Sequence, residues 1–398
     1  MKNFNHQKKP KISIVVYDLG KNAAGRWGGG TRPSLLAQAL RHANYDVEII
    51  GFLTGEANSI ATPEIPVRYV PKKNYPGFIQ STYELLSQLD GDIIYAYKPK
   101  PSSFGVSLIK KMFTGRPLIL DIDDWEMSWY GGDEWQYKPG SLKQFARDIL
   151  KPNGALRNPD YPLYLKGMEG LTSRADAITI HTGFIQKRFG GIYLPNGKDT
   201  ILFNPENYNS ESVRSQYNLS DYKILMFPGA PRPYKGIEDV LMALDILNQP
   251  DLRLVIVGGS PYDDYDQKLR EKWGKWLISI PPLPVTKMPE IVAAADIIVV
   301  PQRNHPSALA QFPLKLTDGM AMAKPVLSTN VGDIPDILGN TGYLVEPSSP
   351  EQIAEMIQHI FSDFDQAQEK GIQARKRCVE KYSIEAMANI LASIISQY

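Results

Sequence analysis

KILMFPGAPRPYKGIEDVLMALDILNQPDLRLVIVGG, residues 223–259, reads as a single β-α-β unit. An apolar run (223–229) gives a strand, a Gly/Pro turn carries two cations, a helix follows (237–247), and a second apolar run (253–259) closes the unit. Such alternation argues for a parallel sheet with helices on its faces. Further strands are expected at 295–301, 324–330 and 342–347. Upstream the same pattern has already run once, with strand-like stretches at 11–20, 46–52, 92–97, 117–123 and 175–181. The join falls in LPNGKDTILFNPENYN (194–209), rich in Asn, Pro and Gly. The expected fold class is α/β: two Rossmann-like, doubly wound domains facing across a cleft. Ligands then sit beyond the carboxyl ends of the strands.

The bulk properties agree. At 398 residues with 43% hydrophobic content the chain can fill two cores. No apolar run reaches the roughly 20 residues of a membrane span. The N-terminus lacks a secretory pattern, and a lone cysteine, Cys378, excludes an internal disulfide. A cytoplasmic protein is expected. The charge is uneven. Residues 1–198 hold 26 Lys/Arg against 18 Asp/Glu, and the remainder holds 18 against 25. The basic half suits an anionic acceptor or the inner face of a membrane, with plain solvation as the alternative. Five scattered histidines lack metal-ligand spacing.

In FPGAPRPYKGIEDV (227–240), Arg232 and Lys235 stand beside a helix N-terminus. Side-chain charge and open backbone N–H groups there can hold a diphosphate and neutralise it as it leaves, without a metal. In FPLKLTDGMAMAKPVL (312–327), Pro313 suits a first helical turn. The amides of Leu314 and Lys315 are then open to phosphate, and Asp318, about one turn on, can accept from both ribose hydroxyls.

These two stretches resemble the donor half of the retaining family 4 glycosyltransferases of GT-B architecture. That family shows a Gly…Lys-Gly loop, then Pro-x-Lys-x-x-Glu and Met-Ala-x-Gly-x-Pro-Val. The run 175–205, with Pro195-Asn196-Gly197, is similar to its inter-domain segment. The resemblance implies an acceptor domain over 1–200, a nucleotide-sugar donor domain over 201–383 and a last helix, 384–398, crossing back. It implies a hexosyltransferase moving sugar from a UDP- or GDP-sugar to a hydroxyl acceptor with retention, the departing phosphate assisting the acceptor hydroxyl. No cofactor, metal or nucleic acid is implied. Catalysis falls to Arg232, Lys235 and Asp123, and the base lies against Pro281 and Pro282. Four departures stand out. Asp318 replaces the helix Glu, Ala310 the usual earlier Glu, and Ala230 the usual Arg, while Met322-Ala323-Lys324 lacks the usual Gly. Other GT-B enzymes, an epimerase or a phosphorylase, and a non-catalytic nucleotide-sugar binder are the competing readings.

The N-terminal half adds three motifs. GRWGGGTRPSLL (25–36) lets backbone approach a ligand closely, and the resemblance turns Gly29 and Gly30 toward the donor phosphate. It lacks the Gly-x-Gly-x-x-Gly spacing and second-strand acid of a dinucleotide site. LILDIDDWE (118–126) brings Asp121, Asp123 and Asp124 to a strand end. There they can raise one another's pKa, bind a cation or cap a loop, and Asp123 takes the place of a family His. With Lys98, Trp125 and Trp129, Asp121 and Asp124 are candidates for contacting acceptor. The aromatic-rich segment 125–171 suits sugar stacking, a membrane interface or a helical hairpin completing the domain.

Overall fold

The computed structural model describes residues 10–20, 32–56, 65–260 and 263–398. The chain forms two compact units. The first comprises Met1–His181, Ile185–Pro195 and Met387–Tyr398, and the second Thr182–Phe184 and Asn196–Ala386. The last helix, Ile384–Ile395, starts in the second unit and continues into the first.

Unit 1 holds a seven-stranded parallel sheet. Its strands are β1 (Lys11–Val16), β2 (Asp46–Leu53), β3 (Val67–Pro71), β4 (Ile93–Tyr97), β5 (Leu118–Ile122), β6 (Ala177–Ile180) and β7 (Ile192–Tyr193). Their order is β3-β2-β1-β4-β5-β6-β7. Unit 2 holds β8 (Lys223–Pro228), β9 (Leu252–Val257), β10 (Leu277–Ile280), β11 (Ile297–Val300), β12 (Val326–Thr329) and β13 (Tyr343–Val345). These are also parallel, in the order β10-β9-β8-β11-β12-β13. Both orders reverse beside the first strand of the unit, between β1 and β4 and between β8 and β11. Such reversals open a crevice at the carboxyl ends of the strands.

Alternate strand residues point to opposite faces, and each face of the second sheet has its own core. Met226, Val255 and Ile298 pack with Leu316 and Met320, whereas Phe227, Ile256 and Val299 pack with Ile237, Leu241 and Ile357. Helix Phe364–Tyr382 passes close enough to the first of these faces that a Cβ on Gly371 would collide with the Ala323 carbonyl. Among the described residues no helix is long and apolar enough to cross a membrane.

The stretch Met322-Ala323-Lys324 lacks a glycine where the backbone favours one. Helix Leu314–Ala321 ends on Ala323 with φ of 53°, and Lys324 N closes back on Gly319 O at 3.0 Å. An L-residue pays about 1 kcal/mol for that left-handed geometry, less the extra freedom glycine has when unfolded. Ala323→Gly is expected to raise stability by up to about 0.5 kcal/mol, seen as a higher urea midpoint at unchanged m-value.

Candidate functional site

The loop after β8 is built around Gly236. Its φ is 69°, and a Cβ there would collide with the Pro301 carbonyl at the end of β11. Pro233–Lys235 forms one 3₁₀ turn, and helix Ile237–Leu247 follows directly. Arg303 clamps the turn, bonding the buried Asp239 at 2.6 and 2.9 Å and the Pro233 carbonyl at 3.3 Å. The Lys235 ammonium donates to Ala230 O at 2.8 Å. Arg232 bonds Ser260 Oγ at 2.9 Å and Asp263 Oδ2 at 3.0 Å.

Helix Leu314–Ala321 delivers the second half of this site. Pro313 precedes it, and Leu316 N donates to Pro313 O at 2.8 Å. The amides of Leu314 and Lys315 have no such acceptor among the described residues. The Lys315 side chain lies over the Phe227 ring at 4.8 Å. A Cβ on Gly229, directly after β8, would lie 3.4 Å from Lys315 Cε. Sequence reasoning counted Lys315 for its amide alone. The fold adds its ammonium, because Gly229 leaves room for it.

No described acid forms an ion pair with Lys235 or Lys315. Burial, then Lys315 and Arg232, push Lys235 well below its usual value. Burial lowers Lys315 to about 8, and Asp318 offsets this in part. Two cations held in so unfavourable a field mark a place where an anion would be bound strongly.

Asp318 is buried, and its Oδ1 is taken by Lys198. Lys198 also sits over the Phe203 ring at 4.3 Å. Two ribose bonds at Asp318 therefore compete with this ion pair. Sequence reasoning missed Lys198, which lies 120 positions away. Pro281 and Pro282 follow the edge strand β10 and are exposed. Ala310 is fully buried.

In unit 1, Gly29 and Gly30 lie outside the described residues. The Asp121–Asp124 loop departs from expectation. Asp121 does not face solvent: it is fully buried and binds Arg32 Nη2 at 2.8 Å and Nε at 3.0 Å. Thr179 Oγ1 donates to it at 2.7 Å and is itself bonded to Tyr95 at 2.7 Å. Because β5 is a central strand, alternation turns Asp121 into the interior, so it positions β5 and β6 rather than touching acceptor. With Asp121 withdrawn, the three-carboxylate cation site is not assembled. Among the described residues no group of three or more His, Cys, Asp and Glu is placed to hold a metal ion.

Lys98 is likewise no open cation. It is buried, 2.5 Å from Glu126, 3.4 Å from Asp123 and 4.0 Å from Asp124. Burial opposes its charge, but Asp123 and Glu126 outweigh this and hold it well above its usual value. Glu126, which sequence reasoning passed over, also binds Lys100 at 2.7 Å. Against its burial, these two lysines lower it to about 2. Asp123 accepts from Tyr97 Oη at 2.6 Å. Asp124 accepts from Trp129 Nε1 at 3.0 Å, while its Oδ1 is buried with no hydrogen-bond partner. Burial raises Asp124 to about 6. Asp123 and Asp124 thus stay at the β5 end with a fixed cation. Trp129 is 49% exposed, and Trp125 is stacked by Arg188 at 4.1 Å.

The aromatic segment is part of unit 1. Trp135 and Tyr137 pack against Tyr161 with centroids 5.9 and 6.0 Å apart.

Comparison with known proteins points the same way. Residues 209–377 match the family model of glycosyl transferases group 1. A GDP-mannose-dependent alpha-(1-6)-phosphatidylinositol monomannoside mannosyltransferase of Mycolicibacterium smegmatis is 24% identical over 59% of this chain and 66% of its own length. An alpha-maltose-1-phosphate synthase of the same organism is 28% identical over 47% of this chain and 52% of its own. The chain therefore spans less than two thirds of the length of these relatives. Among solved structures, Anabaena HepE in complex with UDP and glucose superposes at a TM-score of 0.72 with 16% identity, covering 98% of this chain and all of that one. Sucrose-phosphate synthase from Thermosynechococcus elongatus gives 0.66 at 19% identity, covering 98% of this chain and 99% of that one. Residues 209–377 thus match the glycosyl transferases group 1 family model, and the chain shares the GT-B fold of these structures.

Proposed function

We propose that this chain transfers a sugar from a UDP- or GDP-sugar to an acceptor hydroxyl, with retention of configuration. Unit 2 binds the donor and unit 1 the acceptor. One observation carries the reading: Lys235 and Lys315 are desolvated at the carboxyl end of β8 without an acid partner among the described residues. A diphosphate supplies the missing charge. The open amides of Leu314 and Lys315 add donors along the helix axis. As the sugar departs, charge grows on the leaving phosphate, and fixed cations stabilise it without a metal. Asp318, held by Lys198, faces the ribose, and Asp123 serves the acceptor side. A location at the inner face of a membrane accords with the basic first half. The similar mannosyltransferase is named for GDP-mannose and HepE was solved with UDP and glucose, so the donor is sought among these nucleotides.

A thermal-shift panel of nucleoside diphosphates and their sugars tests this. A ligand at 100 times its Kd stabilises the native state by about 2.7 kcal/mol. UDP or GDP is expected to raise the midpoint, and its sugar at least as much. A flat response across the panel rejects the donor assignment.

A further inference from the structure

Helix Leu142–Leu150 has no buried residue. Successive helical residues turn by about 100°. Phe145, Ile149, Leu142, Ala146 and Leu150 therefore share one arc, and Lys143, Arg147, Gln144 and Asp148 share the other. The helix is well formed, with Ser141 Oγ accepting from Gln144 N at 3.1 Å. It is tied to unit 1 along one margin. Tyr137 Oη bonds Asp148 at 2.7 Å, and the Tyr137 and Phe145 rings are 6.4 Å apart. The opposite margin is outermost: Leu142 is 88% and Leu150 72% exposed, against 41% for Phe145 and 44% for Ile149.

On that outer margin leucine meets cation. Lys143 and Arg147 lie beside Leu150 in projection, and Lys138 and Lys151 are exposed beyond the two ends. Asp148, the one acid of the helix, is turned inward by Tyr137. Single exposed leucines are ordinary, but an apolar arc over a whole helix is not. Another apolar protein surface would satisfy the leucines and leave the cations unmatched. A bilayer whose headgroups are anionic satisfies both.

We propose that helix Leu142–Leu150 lies in the surface of an anionic lipid bilayer. Leu142, Ile149 and Leu150 enter the acyl boundary, while Lys143 and Arg147 meet the headgroups. The inference stands apart from the transfer reaction, because it concerns a surface and not the site. Vesicle flotation of the full chain tests it, comparing phosphatidylcholine alone with an equal mixture of phosphatidylcholine and phosphatidylglycerol. The protein is expected to float with the mixture and not with phosphatidylcholine. Two double variants, L142S/L150S and K143E/R147E, each lower the bound fraction about tenfold. These side chains are exposed, so circular dichroism and the nucleotide thermal shift are expected to stay unchanged. Leu142→Trp gives an independent reading, since its added fluorescence is quenched by brominated acyl chains in the mixed vesicles. Absence of flotation, flotation undiminished in both double variants, or an unquenched Trp overturns the proposal. So does a dimer in solution that L142S/L150S converts to monomer, which would make this face an interface between copies.

Discussion

Lys235→Ala is expected to lower the transfer rate by about 10³-fold without loss of fold. In the free protein Lys235 makes one bond, to its own loop at Ala230 O. Its ammonium is destabilised by burial, Lys315 and Arg232. Removing it relieves that repulsion, so the midpoint without ligand should hold or rise slightly. The gain from added UDP or GDP should shrink instead. Opposite signs in the two measurements separate a binding cation from a structural one. Undiminished turnover in a folded variant would place the phosphate site elsewhere. The same electrostatics predict a pH dependence. Lys315 is lowered to about 8 in the free protein, and a bound anion favours its charged form. Nucleotide affinity should fall as pH rises through about 8. Calorimetry near that pH should register proton uptake, seen as a binding enthalpy that changes with the buffer.

Arg32→Met is expected to destabilise the protein by about 3–5 kcal/mol. Arg32 and Asp121 are both almost wholly buried and form a two-pronged ion pair inside unit 1. Losing the guanidinium leaves the carboxylate in the interior, where Thr179 Oγ1 still donates to it. Burial already raises Asp121 despite Arg32. Without Arg32 its pKa should rise further, so the variant's deficit is largest near neutral pH and narrows in acid as Asp121 takes a proton. R32M/D121L should recover much of the loss, because replacing both charges by apolar groups removes the desolvation penalty. Urea unfolding of the four proteins closes this cycle. Additive losses would mean that the two residues act independently.

The central strands were legible for a physical reason. β1, β2, β4, β5, β8, β9 and β11 are covered on both faces, so their segments are predominantly apolar. The edge strands β3 and β10 were not, because exposed residues break their runs. The loop after β8 was legible too. A cation, a left-handed glycine and a helix start lie within one turn of chain, and local backbone chemistry places Arg232, Lys235, Leu314 and Lys315. What a residue pairs with was not, since folding brings together groups whose separation carries no local signal. Lys198 reaches Asp318 across 120 positions, and Arg32 reaches Asp121 across 89. Asp121 and Asp124 stand three residues apart in one acidic run. Strand alternation buries one against Arg32, and the loop beyond leaves the other beside Trp129. The sequence alone determined the α/β class and where anionic chemistry could sit, because both follow from periodicity and short-range geometry. The tertiary structure decided which charges are neutralised in the interior and which remain for a ligand, because that depends on strand order and burial.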